Sequence, residues 1–242
     1  MIRTEGLTKQ FGDALAVDRL NLEIERGEFF CFLGPNGAGK TTTIKMLTGL
    51  IKPTRGRALL GESDIQEDPV GTKQRLGYIP DHPFLYEKLT GREFMELVGG
   101  LYRIEPDVIV KRGEELREQF GIAHVADQLT EHYSHGMRQK LSFASCFLHA
   151  PDIVIVDEPW VGLDPQNIRF VKNFLKERTR DGLTVFMSTH TLSIAEEIAD
   201  RIGIINKGTL LRTGTVSEVK DLADNPGSLE DVFLDLTQGS DA

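Results

Sequence analysis

Gly34-Pro35-Asn36-Gly37-Ala38-Gly39-Lys40-Thr41 is the stretch of this chain with the clearest chemical purpose. It fits the pattern Gly, four residues, Gly-Lys-Thr of a nucleotide-binding phosphate loop. Glycines at this spacing let successive backbone N–H groups turn inward around phosphate oxygens, where a Cβ would obstruct them. Lys40 is placed to reach the β- and γ-phosphates, and the Thr41 hydroxyl to ligate Mg²⁺. Thr42 leads into a helix whose N-terminus adds partial positive charge at the same point. The segment from Gly34 through Thr42 is therefore the expected binding site for a nucleoside triphosphate.

Such a loop works only between a strand and a helix. The apolar run Phe29-Phe30-Cys31-Phe32-Leu33 supplies the strand, and Thr42-Thr43-Ile44-Lys45-Met46-Leu47 the helix. Short strands are predicted upstream at residues 2–5 and, from period-2 alternation, at 20–24. Further strands are predicted at 57–60 and at 76–79, the latter stopped by Pro80. From about residue 85 to 150 the pattern turns helical. Thr90 and Glu93 have capping-box spacing, and Phe94, Leu97, Val98 and Leu101 follow at helical intervals. A second helix runs from about 108 to 120 with Gly121 as its C-terminal cap. A third starts near Ser134, with Met137, Leu141, Ala144 and Leu148 along one side. Buried-strand runs return at 153–156 and 184–187, separated by a helix over 166–179. Apolar strands without alternation, spaced by helices, predict a parallel sheet covered on both faces.

Bulk properties narrow the function. The 242 residues can bury a substantial core, and 40% apolar with 27% charged residues is ordinary for a soluble α/β protein. A net charge of −9 argues against nonspecific nucleic-acid binding, and no nucleic-acid partner is expected. Lys172, Lys176, Arg178 and Arg180 read as a solvated helix face. Cys31 and Cys146 belong to no metal or redox spacing, so buried reduced thiols are expected. Neither a signal peptide nor an apolar run of membrane-crossing length is present, which predicts a cytoplasmic chain whose membrane role comes through a partner.

Four more motifs accompany the phosphate loop. Ile153-Val154-Ile155-Val156-Asp157-Glu158-Pro159 is an apolar strand ending in two carboxylates, a Walker B pattern. Asp157 would hold Mg²⁺, and Glu158 would face the water in line with the γ-phosphate. Tyr133-Ser134-His135-Gly136-Met137-Arg138-Gln139-Lys140 resembles the Leu-Ser-Gly-Gly-Gln signature of ATP-binding-cassette (ABC) ATPases. Ser134 has the chemistry of a helix N-cap. Val161-Gly162-Leu163-Asp164 follows Walker B as the family's D-loop does, and Ser188-Thr189-His190 ends the next strand where the family places its switch histidine. Phe11, upstream of Val17, resembles the aromatic residue that stacks on adenine, and the resemblance implies that Val17 also contacts the nucleotide; a core phenylalanine is the alternative for Phe11.

The resemblance runs from Phe11 to the tail Ser228-Leu229-Glu230-Asp231-Val232-Phe233-Leu234. It implies a P-loop NTPase core with a mostly parallel sheet, an N-terminal antiparallel β-subdomain and an inserted α-helical subdomain. The expected division is a RecA-like core with antiparallel β elements at 1–84 and 151–215, the helical subdomain at 85–150 and a helical tail at 216–242. It further implies an ATP-hydrolysing subunit that works as a head-to-tail dimer with a second copy or close paralogue. Ser134, His135, Gly136 and Met137 of one subunit would close over ATP held by the other. Separate polytopic membrane subunits would carry the substrate, and the chain would lie on the cytoplasmic face of the membrane. Tyr78-Ile79-Pro80-Asp81, Val161 and the tail are most similar to ABC-2-type exporters.

Three departures from the family pattern stand out. Asp81 occupies a position that is often glutamine, so it would ligate Mg²⁺ directly or reach it only through water. His135 replaces the first signature glycine. Phe11 lacks a tyrosine hydroxyl but keeps the stacking face. Phe84, Tyr86, Phe94 and Tyr102 could line a groove for a membrane-subunit helix or simply pack the helical insert. The competing functions are a soluble ABC ATPase acting on nucleic acid, ribosomes or cofactor assembly, and a small-molecule kinase. The second leaves Ser134 and His190 unexplained.

Overall fold

The computed structural model describes residues 1–160, 163–221 and 228–238. Val161 and Gly162 of the expected D-loop, and 222–227 and 239–242 of the expected tail, lie outside the described residues. Two sheets form the frame. One is antiparallel, in the order β2-β1-β4-β5, from β1 (Ile2–Phe11), β2 (Ala14–Ile24), β4 (Arg55–Leu60) and β5 (Ser63–Asp64). The other has the order β10-β9-β3-β8-β7-β6, from β3 (Phe29–Leu33), β6 (Leu76–Ile79), β7 (Ile153–Asp157), β8 (Thr184–Thr189), β9 (Arg201–Asn206) and β10 (Thr209–Thr215). Its neighbours from β6 to β9 are parallel, and β10 is antiparallel to β9. Helices α1 (Lys40–Leu47), α2 (Pro69–Gln74), α3 (Gly91–Leu101), α4 (Pro106–Gln119), α5 (His135–Cys146), α6 (Pro165–Arg180), α7 (Leu192–Ile198), α8 (Val216–Lys220) and α9 (Leu229–Gln238) complete the described elements.

The pleat of the parallel strands divides the core in two. Phe30, Phe32 and Phe186 point toward α1 and the antiparallel sheet, with ring centroids 5.3–5.9 Å apart. Phe29, Cys31, Leu33, Val185 and Met187 point to the other face, among Phe94, Leu116, Phe143 and Phe174 of the helices. Burial on both faces is why these strands show no polar alternation. Cys31 and Cys146 are buried free thiols, pushed above their ordinary pKa by desolvation.

Local readings hold where local chemistry decides. Thr90 accepts from the Glu93 N–H while the Glu93 carboxylate accepts from the Thr90 N–H, a complete capping box at the start of α3. The burial of that helix differs from its apolar stripe: Phe94, Met95 and Gly99 face inward, whereas Leu97 is 39% and Leu101 74% exposed. The first two strands are also longer than predicted, because each pairs along its whole length. Register shifts between Thr4 and Leu7 and between Leu7 and Lys9 interrupt the period-2 pattern that would have announced them. Lys172 and Lys176 are not simply solvated: both are bound to Glu197.

Candidate functional site

Pairing register assembles the chemistry. Leu33 of β3 lies opposite Thr189 of β8, and Asp157 of β7 opposite Ser188. The chain therefore leaves three adjacent strands at Gly34, Glu158 and His190, all at the carboxyl ends of the parallel sheet, where open α/β sheets place their ligands. Two glycines make the loop possible. A Cβ on Gly34 would sit 2.4 Å from the Ile205 carbonyl, and Gly39 caps α1 at φ 110° with the Ala16 carbonyl 2.6 Å from where its Cβ would be.

The loop's charge centre is Lys40, whose Nζ donates to the Gly34 carbonyl at 2.7 Å and the Pro35 carbonyl at 3.2 Å. It also lies 3.6 Å from the Glu158 carboxylate. Glu158 in turn meets His190 Nδ1 at 2.9 Å, so its charge is held between Lys40 and the imidazole. Its backbone is left-handed, at φ 45°, a conformation uncommon for a residue with a Cβ. The Glu158 N–H is steadied there by the backbone carbonyl and the side-chain oxygen of Ser188, each at 3.2 Å.

Ser188 does a second job that spacing alone did not reveal. Its hydroxyl donates to Asp157 Oδ1 at 2.5 Å, both residues being buried. Burial raises the Asp157 pKa above the ordinary aspartate value, hydrogen bonds from Ser188 and Thr41 pull it back, and the Asp81 and Glu158 carboxylates raise it again. A buried carboxylate beside a threonine hydroxyl and two more acids is a hard-oxygen set short of positive charge, and Mg²⁺ fits it. No group of three or more His, Cys, Asp or Glu able to enclose a metal occurs among the described residues.

One cleft is lined by Ala16, Pro35, Asn36, Gly37, Ala38, Gly39, Lys40, Thr41, Thr42, Asp81 and Glu158. Val17, read from the sequence as a nucleotide contact, is fully buried and packs beneath Gly39, leaving Ala16 as the lining residue. Phe11 lies in no core cluster: it is 51% exposed at the end of β1, with the Lys9 ammonium 4.9 Å from its ring centroid. Asp81 is exposed, its Oδ1 accepting from the His82 N–H at 2.8 Å.

Ser134, His135, Gly136 and Met137 are elsewhere, in a second cleft shared with Lys140, Asp164 and Asn167. Ser134 caps α5 by accepting from the Met137 N–H at 3.3 Å. Asp164 caps α6 by accepting from the Asn167 N–H at 2.8 Å and its amide group at 2.7 Å. Lys140 and Asn167 could have been found one helical turn beyond Gly136 and Asp164. The two clefts share no lining residue.

Comparison with known proteins agrees with this geometry. A family model described as ABC transporter matches residues 17–161. The "Probable multidrug ABC transporter ATP-binding protein YbhF" of Escherichia coli (strain K12) is 35% identical over 240 residues, covering 98% of this chain. The chain spans 41% of the length of that relative. A solved "ATP binding subunit of ABC transporter" is similar at a TM-score of 0.91 and 29% identity, over 98% of this chain and 99% of the other. The ATP-binding cassette MJ0796, solved as a dimer in "a post-hydrolysis state" bound to ADP and Pi, gives a TM-score of 0.81 at 26% identity, over 89% of this chain and 98% of the other. The family model and the relatives together show that this chain belongs to the ABC transporter family as an ATP-binding cassette.

Proposed function

We propose that this chain is the ATP-hydrolysing subunit of a membrane transporter, working as a head-to-tail dimer in which each ATP is gripped by the phosphate loop of one copy and the signature of the other. The observation that carries this reading is the separation of the two half-sites. Lys40, Glu158 and His190 converge in one cleft, while the capped N-terminus of α5 lies in another that shares no lining residue with it. A second copy is the simplest way to bring a signature over the phosphates.

Lys40 is bound to its own loop carbonyls and to Glu158. The triphosphate would draw Lys40 away and leave Glu158 on His190, free to orient or deprotonate the attacking water. His190 would also hold the γ-phosphate, and Phe11 would stack on the base. Thr41 and Asp157, with Asp81 at the rim directly or through water, would hold Mg²⁺, which offsets phosphate charge when bound. Ser134 and Gly136 of the second copy would complete the donors around the γ-phosphate. Its departure removes the ligands both copies share, so the dimer opens.

No helix among the described residues is long and apolar enough to cross a membrane; in this reading separate membrane subunits carry the substrate, with this chain on their cytoplasmic side. A docking surface is available. Phe84 is 78% and Tyr86 54% exposed, with ring centroids 5.7 Å apart. Phe84, Val98, Leu101 and Tyr102 line a groove over the buried Phe94. The name of YbhF, a multidrug transporter protein, favours export as the direction.

The test is Glu158→Gln in saturating ATP and Mg²⁺, followed by sedimentation. An ATP-dependent dimer that persists for lack of hydrolysis is expected. A variant that binds ATP yet stays monomeric would overturn the shared site.

A further inference from the structure

The opposite end of the parallel sheet, where its strands begin, holds a cleft that nucleotide chemistry leaves unused. Arg26 enters it from the turn before β3, Arg112 and Glu115 from α4, Asp152 from the turn before β7, and Arg178 and Asp181 from the end of α6. Because β3, β7 and β8 all start on this side, it lies a full strand from the phosphate loop, roughly 16 Å for a five-residue strand.

Its charges are unbalanced. Among the described residues, none of the three guanidiniums has a carboxylate within 4.0 Å. Asp152 is neutralised by Arg75 at 2.7 Å, which leaves Glu115 and Asp181 as the opposing acids. Burial and the neighbouring Arg178 both weaken the hold of Arg112 on its proton, and Glu115 offsets them only in part, so the two cations stand close enough to repel. Arg178 is pre-positioned over the Phe174 ring, 5.1 Å from its centroid, which leaves its N–H edge for another partner. Arg112 and Arg178, half-buried like charges with no carboxylate in direct contact, are the arrangement that a multivalent oxyanion relieves through forked hydrogen bonds.

We propose that this cleft is a second anion site, taking a compact phosphate group between Arg112 and Arg178 with Arg26 at its mouth. The occupant would bridge α4 of the helical segment to α6 and the sheet, and so pin one to the other. A free phosphate and an anionic lipid headgroup offer the same chemistry.

The experiment uses the whole chain with its phosphate loop filled by Mg²⁺ and a non-hydrolysable ATP analogue. Inorganic phosphate is titrated by calorimetry into wild type, Arg112→Gln and Arg178→Gln, and hydrogen exchange of residues 106–119 is followed in parallel. Binding to wild type is expected, weakened at least tenfold in each variant, with exchange of α4 slowed by phosphate only in wild type. A second arm measures sedimentation with vesicles of phosphatidylglycerol and phosphatidylcholine against phosphatidylcholine alone; arginine-dependent binding there, without binding of free phosphate, assigns the site to a headgroup. Unchanged analogue binding shows that the variants are folded. The proposal is overturned if neither probe binds, or if both variants bind as wild type does. The analogue-binding control keeps this outcome separate from failure of the transporter reading.

Discussion

Ser188→Ala should raise the Mg²⁺ concentration needed for the proposed ATP turnover without touching a phosphate contact. The Ser188 hydroxyl donates to Asp157 Oδ1 at 2.5 Å, and both residues are buried, with 0% and 1% exposure. A hydrogen bond to a buried carboxylate contributes about 1.5–3 kcal/mol. Losing it adds to the forces that already raise the Asp157 pKa, namely burial and the Asp81 and Glu158 charges. It also frees the carboxylate to rotate away from Thr41. Removing an outer-shell partner of this kind typically weakens metal binding by about 10–100-fold, in line with the energy of the bond. The assay is ATP turnover against Mg²⁺ concentration. The half-saturating Mg²⁺ should rise about tenfold or more, while ATP binding measured without Mg²⁺ stays unchanged. Turnover at saturating Mg²⁺ should fall as well, because the Glu158 N–H keeps the Ser188 carbonyl but loses the hydroxyl at 3.2 Å. A folded variant whose half-saturating Mg²⁺ moves less than about threefold would refute the role given to Ser188.

Three other perturbations have definite signs. Asp157→Asn should abolish Mg²⁺-dependent turnover and yet raise the melting temperature of the nucleotide-free protein at pH 7; since the folded pKa of Asp157 is raised, its charged form penalises folding above that pKa, and the gain should vanish below about pH 3.8, where both states are protonated. His149, stacked 3.7 Å from Tyr102 and bound to the Leu76 carbonyl, has its pKa lowered from 6.5 to about 4, chiefly by burial. Stability should therefore fall as pH drops from 6.5 through 4, and His149→Phe should flatten that slope in melting curves; an identical slope would remove His149 as the cause. Phe11→Ala should weaken ATP by roughly 5–150-fold, the equivalent of about 1–3 kcal/mol of base–aromatic stacking, with Phe11→Trp restoring it; equal affinity in equilibrium binding would place the adenine elsewhere.

Residues 29–47 announce their own structure, because an apolar strand, glycines free of Cβ sterics and a following helix are all settled within a few residues. The same holds for the capping box at Thr90 and the N-cap at Ser134, each a bond spanning three residues. Asp157, Glu158 and His190 could be named because each follows an apolar strand. Their meeting could not be read from any one strand, since it rests on β3, β8 and β7 lying side by side in that order. Long-range packing settled the remainder. Val17 went under the loop while Phe11 stayed at the surface; Leu97 and Leu101 kept their helical spacing but were left uncovered. The cleft of Arg26, Arg112 and Arg178 draws on three distant segments, and of these only Arg178 belonged to a cluster visible in the sequence. Sequence alone thus determined the local conformations and the chemical groups, because steric preference and hydrogen bonding between near neighbours decide those. Only the tertiary structure decided which groups face one another and which apolar surfaces stay open, because burial depends on what arrives from elsewhere in the chain.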